Sequence, residues 1–404
     1  MLNKLNNPMV ILYIVLIAFC ACSDDSSSNS FVPTEIVSSR AYSGHESDVD
    51  ANNFVKTYPS TVGKRLDDCQ TCHSGGRITY ADSGKTKNID NPCSYCHLKA
   101  FEEGSDFTSG YPSTYESTLN PYGLAYNNAG RNQEALQAIA DQDSDSDTYS
   151  NAEEIEDLRF PGDADSYPGQ PLAPTIELYW DDVTAMNKHE QFMLLNAHKQ
   201  QYDDYVTYKG VTILDLIAAA GIDLSGATGM TFFAPDGYQK DFDLDEDINY
   251  SYPRGIYYSV PSWPDDPERN LINYPDIIPD GLAHGSEIPD ELYMILAYER
   301  DDGYLDESYY DSTDGRIGGE GPYRIVRPQE SAGRPDRGSR ANTYGDGWDY
   351  DDNIDHNAGD AVKGTCVIRI DPMPDGYEEY DWINGWSLIM DKKLIVYGQG
   401  VTEK

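Results

Sequence analysis

Two copies of one short pattern constrain this chain more than anything else in it. Residues 69–73 read Cys-Gln-Thr-Cys-His and residues 93–97 read Cys-Ser-Tyr-Cys-His, with twenty residues between Cys72 and Cys93. That cysteine spacing suits a zinc ribbon, a pair of disulfides or two covalent haem sites. A ribbon needs four thiolates and has no use for an imidazole directly after each pair. Covalent c-type attachment needs two thiols for the two vinyl groups, then a histidine that reaches the iron from one face. The repeated histidine therefore predicts two haems, one on Cys69 and Cys72 with His73, the other on Cys93 and Cys96 with His97. Two porphyrins would also give a core to residues 41–105, which have few large aliphatic side chains of their own.

The other axial position is constrained by inventory. Between residues 23 and 168 there is no Met, and His45 is the only His outside the two motifs. His45 is thus the expected distal ligand of one iron. The second iron either stays five-coordinate or takes a ligand from beyond residue 168, where His198 is the preferred candidate over His189, His284 and His356. Two histidines on an iron suit electron transfer, whereas an open position suits small-ligand or peroxidase-like chemistry.

Export agrees with haem. Lys4 precedes an apolar run, Met9–Phe19, that is short for a membrane span. The run ends at Ala21 and Cys22, followed by a Ser- and Asp-rich stretch. This resembles a bacterial lipoprotein cleavage box, which implies that Cys22 becomes the lipidated first residue. Cys20 would leave with the signal, so the seven cysteines reduce to the two pairs and Cys366. The expected location is the outer membrane, on its periplasmic side or the cell surface. In an oxidising compartment unprotected thiol pairs would tend toward disulfides.

A third signal is Asp-Ser-Asp-Ser-Asp-Thr-Tyr-Ser-Asn-Ala-Glu-Glu at 143–154. Set as a twelve-residue calcium loop, Asp143, Asp145 and Asp147 take positions 1, 3 and 5. Tyr149 offers its carbonyl at 7, Asn151 stands at 9, and Glu154 closes the loop at 12. Thr148 departs from the pattern where the sharp turn prefers Gly. The expected role is structural.

The chain carries 70 acidic against 29 basic residues, a formal charge of −41, and no basic stripe that could release counterions from a phosphate backbone. Nucleic acid is excluded as a partner on that ground. Residues 241–320 alone hold 21 Asp or Glu against 4 Arg and no Lys, a solvated face or an attraction for positively charged redox partners.

The expected organisation is a signal peptide over 1–22, a tether over 23–40, a diheme segment over 41–118, a helical calcium-binding segment over 119–168, and an α+β domain over 169–404. Residues 161–174 are the Pro/Gly-rich boundary. Runs at 175–180, 230–234, 323–327, 366–370 and 393–398 read as strands. Residues 210–221 read as a helix capped by Thr212, with Asp215 third in and Gly221 at its end. Residues 234–238, Ala-Pro-Asp-Gly-Tyr, read as a turn.

Residues 208–221, 230–238, 291–305 and 321–329 stand in an order that resembles the sulfite-oxidase-type molybdopterin-binding domain, over roughly residues 175–404. Metal-binding members use a cysteine thiolate in mid-domain, but no Cys lies between Cys96 and Cys366. Molybdopterin is therefore not expected, and Cys366 should pack as a small apolar residue. The stretch Gly-Gly-Glu-Gly-Pro-Tyr-Arg at 318–324, with two haem motifs and a lipoprotein signal, resembles the bacterial GEGP-motif diheme proteins. Gly319, Gly321 and Pro322 should shape a turn around Glu320. The reading that results is an envelope electron carrier with two haems and calcium, working with other redox proteins. The alternatives are a haem enzyme with an open iron, or a redox-linked binding or sensor module.

Overall fold

The computed structural model describes residues 45, 47–80, 86–89, 107–109, 114–197, 202–259, 272–311, 316–336, 350–351, 353–381 and 385–402. The architecture is mixed α+β, with several sheets and few, short helices. Among these residues no helix is long and apolar enough to cross a membrane.

The C-terminal part is built on two sheets. The first runs 272–273, 203–212, 295–300, 324–326, 362–363, with 189–195 and 303–304 paired alongside. Its ladders are antiparallel except the short one between 272–273 and 203–204. The second runs 175–178, 394–398, 367–371, 229–233, 239–243, and only the 367–371/394–398 ladder is parallel. One core takes Met193, Leu195, Val206, Leu296 and Ile325 from the first sheet and Phe232, Ile368, Leu394 and Val396 from the second.

Strand periodicity explains the packing. Along His189–Leu195, Met193 and Leu195 enter that shared core, while Phe192 and Leu194 join an aromatic cluster with Tyr205, Tyr257 and Ile288. Phe192 stacks on Tyr205 with ring centroids 5.6 Å apart. In Leu394–Gly398 the alternation repeats: Leu394 and Val396 face the shared core, Ile395 and Tyr397 a third cluster holding Cys366. A strand that alternates between two apolar environments shows as a continuous hydrophobic run in sequence.

Helix Ile213–Ala219 begins where strand Asp203–Thr212 ends. Thr212 Oγ1 accepts from the Asp215 amide at 3.1 Å, and Gly221 follows at φ +75°. The turn at 234–238 is also present, with Gly237 at φ +87° and the Ala234 amide donating to the Tyr238 carbonyl.

Among the described residues, the N-terminal part packs four helices, Val49–Thr57, Pro121–Ala129, Gln133–Ala138 and Asn151–Glu156. Their core is Phe54, Leu66, Tyr122, Tyr126, Leu136, Ile139, Ile155 and Phe160, and Cys72 packs against it. Residues 171–173 pair with Glu378. Arg65, stacked over Phe160, forms a buried ion pair with the Glu378 side chain. Val37–Lys404 forms one compact unit by its backbone contacts.

Candidate functional site

The first cysteine motif forms a single tight turn. Asp68 accepts from the Gln70 amide, and Cys69–Thr71 is a 3₁₀ turn. The Cys69 carbonyl accepts from both the Cys72 amide at 3.1 Å and the His73 amide at 2.9 Å. Both cysteines and His73 thus lie within one turn of backbone, with Cys72 packed against the helical core. Cys69 and Cys72 are not joined to each other in a disulfide. Burial, and then the Asp50 charge, push the Cys72 thiol well above its ordinary pKa.

A distant segment holds this turn from behind. Asn120 caps helix Pro121–Ala129 through the Gly123 amide. Its side-chain amide donates to the Gln70 carbonyl at 3.0 Å and the Thr71 carbonyl at 3.2 Å. The Asn120 amide donates to the Cys72 carbonyl at 3.0 Å. Gly123 is required by that approach, because a Cβ there would lie 2.0 Å from the Cys72 oxygen.

His73 is fixed in one tautomer. Its Nδ1 lies 2.9 Å from Thr118 Oγ1, and that hydroxyl donates its only proton to the Tyr115 carbonyl at 2.7 Å. Thr118 Oγ1 must therefore accept, so Nδ1 carries the hydrogen and Nε2 keeps its lone pair. Burial lowers the His73 pKa, which favours the neutral, ligating form. The ring of Tyr115 meets His73 edge-on at 5.6 Å, under the Arg131 guanidinium.

His45 lies beside the entry to the same turn. Its Nε2 is 2.7 Å from the Asp67 carbonyl and 3.8 Å from the Asp67 carboxylate. The carbonyl can only accept, so Nε2 donates and Nδ1 keeps the lone pair. Cys22, Cys93, Cys96, His97 and His198 lie outside the described residues.

The acidic loop makes a second constellation. Carboxylate oxygens of Asp143, Asp145 and Asp147 gather within 4.8 Å of one another. The amides of Ser146 and Thr148 donate to Asp143, that of Asp147 to Asp145, and that of Tyr149 to Asp147. Ser150 and Glu153 then cap the following helix reciprocally, which carries Asn151 and Glu154 inward. Both are fully buried. Asn151 anchors itself through Nδ2 to the Ile139 carbonyl at 2.7 Å.

Five inward oxygens have no hydrogen-bond partner: Asp145 Oδ2, Asp147 Oδ2, Asn151 Oδ1 and both oxygens of Glu154. Burial, followed by Asp145, Asp147 and Asp143, pushes the Glu154 carboxyl up to about 9. Burial and the neighbouring Asp147 push Asp145 to about 6. Buried polar atoms are satisfied as a rule. The gathered oxygens of Asp143, Asp145 and Asp147, with the buried Glu154 carboxyl coupled to their charge, are hard donors of the kind a calcium-like cation takes. Thr148 adopts φ +91°, the left-handed geometry that Gly would take without strain.

Around Glu320 the chain turns at Gly319, φ +74°, where a Cβ would approach the Glu307 carbonyl at 2.5 Å. Glu320 bonds Arg300 at 2.9 Å and Arg324 at 2.7 Å. Its position is that of a counter-ion within the fold. Cys366 is fully buried, its Sγ 3.5 Å from the Phe233 carbonyl.

Sequence reasoning missed Thr118, Asn120 and Gly123. The Asn-Pro pair at 120–121 signals a helix start, but nothing local says that this helix braces a turn 45 to 50 positions upstream. No known family profile, curated protein or solved structure matches this chain.

Proposed function

We propose that this protein is an envelope-anchored diheme c-type cytochrome that passes electrons between redox partners, with calcium as a structural ion. The observation that carries this reading is His73: its Nδ1 is held by Thr118, so Nε2 keeps its lone pair for an iron, with Cys69 and Cys72 on the same turn. Cys69 and Cys72 fit thioether links to the two vinyl groups, and His73 fits the proximal position. A haem bound there supplies one-electron chemistry. The chain fixes the imidazole's direction, buries it in neutral form, and braces the attachment turn through Asn120. The same roles fall by sequence to Cys93, Cys96 and His97 in the second motif.

Calcium fits the acidic loop because the unpartnered oxygens come from the residues that the loop pattern assigns: Asp145, Asp147, Asn151 and Glu154. Asp143 supplies the first position and Tyr149 its carbonyl. Lipidation at Cys22 and membership of the GEGP-motif diheme group complete the proposal. The finer assignment of residues 175–404 to a sulfite-oxidase-type fold is supported by the quoted segments, which fall on the elements of the two large sheets. The residues do not fit a molybdenum ligand set, since Cys366 is sealed in a core cluster.

A second reading has one observation in its favour. His45 donates Nε2–H to the Asp67 carbonyl, so its usual ligating nitrogen is engaged. If that contact persists, one iron is five-coordinate and open to small ligands, as in a haem enzyme or sensor. His198 is the other distal candidate. A pyridine haemochrome assay on the purified chain should give two haems; fewer would overturn the diheme proposal. A low-spin spectrum unmoved by CO would then reject the open-iron reading in favour of the carrier.

A further inference from the structure

A cavity of about 190 Å³ opens in the C-terminal part, lined by Arg324, Lys363, Tyr238, Asp236, Ile317 and Ala358 among others. None of these residues belongs to the cysteine turn or the acidic loop. Its wall is a cross-strand pair, because Arg324 and Lys363 stand directly opposite each other in the antiparallel ladder of 324–326 with 362–363. Directly opposed side chains share one face of a sheet, and two like charges there destabilise it.

The surroundings do not relieve that repulsion. Arg324 is 4 % exposed; its Nη1 reaches Glu320 and the Tyr208 hydroxyl, each at 2.7 Å, and its Nε has no partner. Glu320 is already shared with Arg300, which also meets Asp204 at 3.3 Å. The Lys363 side chain has no hydrogen-bond or ion-pair partner among the described residues. Burial lowers its pKa, followed by the charge of Arg324. Asp236 is occupied by the Tyr238 amide at 3.1 Å, and burial pushes its carboxyl upward. Arg300 also lies 3.8 Å from Asp301, so Arg300 and Arg324 both have carboxylate partners, and Lys363 is the cation left without one among the described residues, at a cavity wall in a chain of formal charge −41. An uncompensated, partly desolvated cation is costly in a fold and useful for holding an anion.

We propose that this cavity binds a small oxyanion, of the size and charge of sulfate or phosphate, between Arg324 and Lys363. The volume is below the roughly 300–1,000 Å³ of pockets for drug-sized ligands, so the guest is compact. Arg324 is aimed by Glu320, and this gives the Gly319–Pro322 turn a role, since it sets the carboxylate that orients the anion-binding guanidinium. Lys363 supplies the second charge from the neighbouring strand. The site does not depend on haem or calcium.

The test is calorimetric titration of the full mature chain with sulfate, and separately with phosphate, at ionic strength held constant with chloride. Saturable binding of at least one anion is expected, weakened about tenfold or more by Lys363→Met and retained by Lys363→Arg. In chloride alone Lys363→Met should melt above wild type, because the opposed charges are gone. Sulfate should then raise the melting temperature of wild type more than that of Lys363→Met, since its general exclusion effect acts on both. No saturable heat with either anion, or Lys363→Met binding as tightly as wild type, would overturn the assignment.

Discussion

At the scale of single residues, two side chains decide how well the candidate sites are made. Thr118 does so through one oxygen that donates to Tyr115 and accepts from His73. Thr118→Val should leave the Nδ1–H buried without an acceptor and cost about 1–3 kcal/mol, measurable by denaturant titration. With haem bound, losing that acceptor weakens the imidazole as a donor, so the midpoint potential of one haem should rise; Thr118→Ser should leave both readouts unmoved. Thr148 holds a left-handed backbone that penalises a β-branched residue by about 1–2 kcal/mol. Glycine removes that strain and adds unfolded-chain entropy of about 0.4–1 kcal/mol. Thr148→Gly should therefore stabilise modestly, by under about 1 kcal/mol, and bind calcium more tightly in a competition titration with a chromophoric chelator.

At the scale of elements, the sequence revealed more of the structure where one strand or loop carries its own chemistry. The runs at 230–234, 366–370 and 393–398 fall on strands because β-branched and aromatic residues fill both faces. Strand Asp203–Thr212 was hidden because charged and polar residues interrupt it, and its last three residues lead straight into the predicted helix. Trp180 looked like the end of a strand, yet it opens a short helix, Trp180–Thr184. The spacing of acids in 143–154 is fully local, so the gathering of Asp143, Asp145 and Asp147 was legible. The brace on the cysteine turn was not, since it depends on one helix N-terminus meeting one 3₁₀ turn. Gly123→Ala tests that brace: its Cβ would collide with the Cys72 carbonyl and displace the turn. A loss of about 1–3 kcal/mol is expected from overpacking, together with reduced haem content at the first motif by mass spectrometry of the intact chain.

At the scale of the whole molecule, the acidic loop should be a main contributor to how stability responds to pH. Glu154 has its carboxyl raised to about 9 in the folded chain, against an ordinary value near 4.5. Without a cation the folded state therefore binds more protons than the unfolded one across that window. Stability in a chelator should fall as pH rises from about 4.5 toward 9, by several kcal/mol in all. Saturating calcium would replace those protons, so the same urea titrations should show a shallower slope, the remainder including Asp203, whose carboxyl is pushed up to about 8 by burial. A chelated protein as stable at pH 8.5 as at pH 5 would remove calcium from the proposal.

The buried ion pair of Arg65 with Glu378 has a consequence for how the chain is made. Its partners are 313 positions apart in sequence. During synthesis Arg65 emerges long before its carboxylate exists, and closing so long a loop is slow even though its entropy grows only logarithmically with length. Arg65 therefore lacks its counter-charge until nearly the whole polypeptide has appeared, whereas Thr118, Asn120 and Gly123, which brace the nearby cysteine turn, emerge far earlier. A chain truncated before residue 378 is left with a guanidinium that has lost its buried counter-charge, the arrangement that costs about 3–5 kcal/mol when one partner is removed. The last charge that the N-terminal segment buries is thus matched by one of the latest residues to be made, through a single pair of side chains.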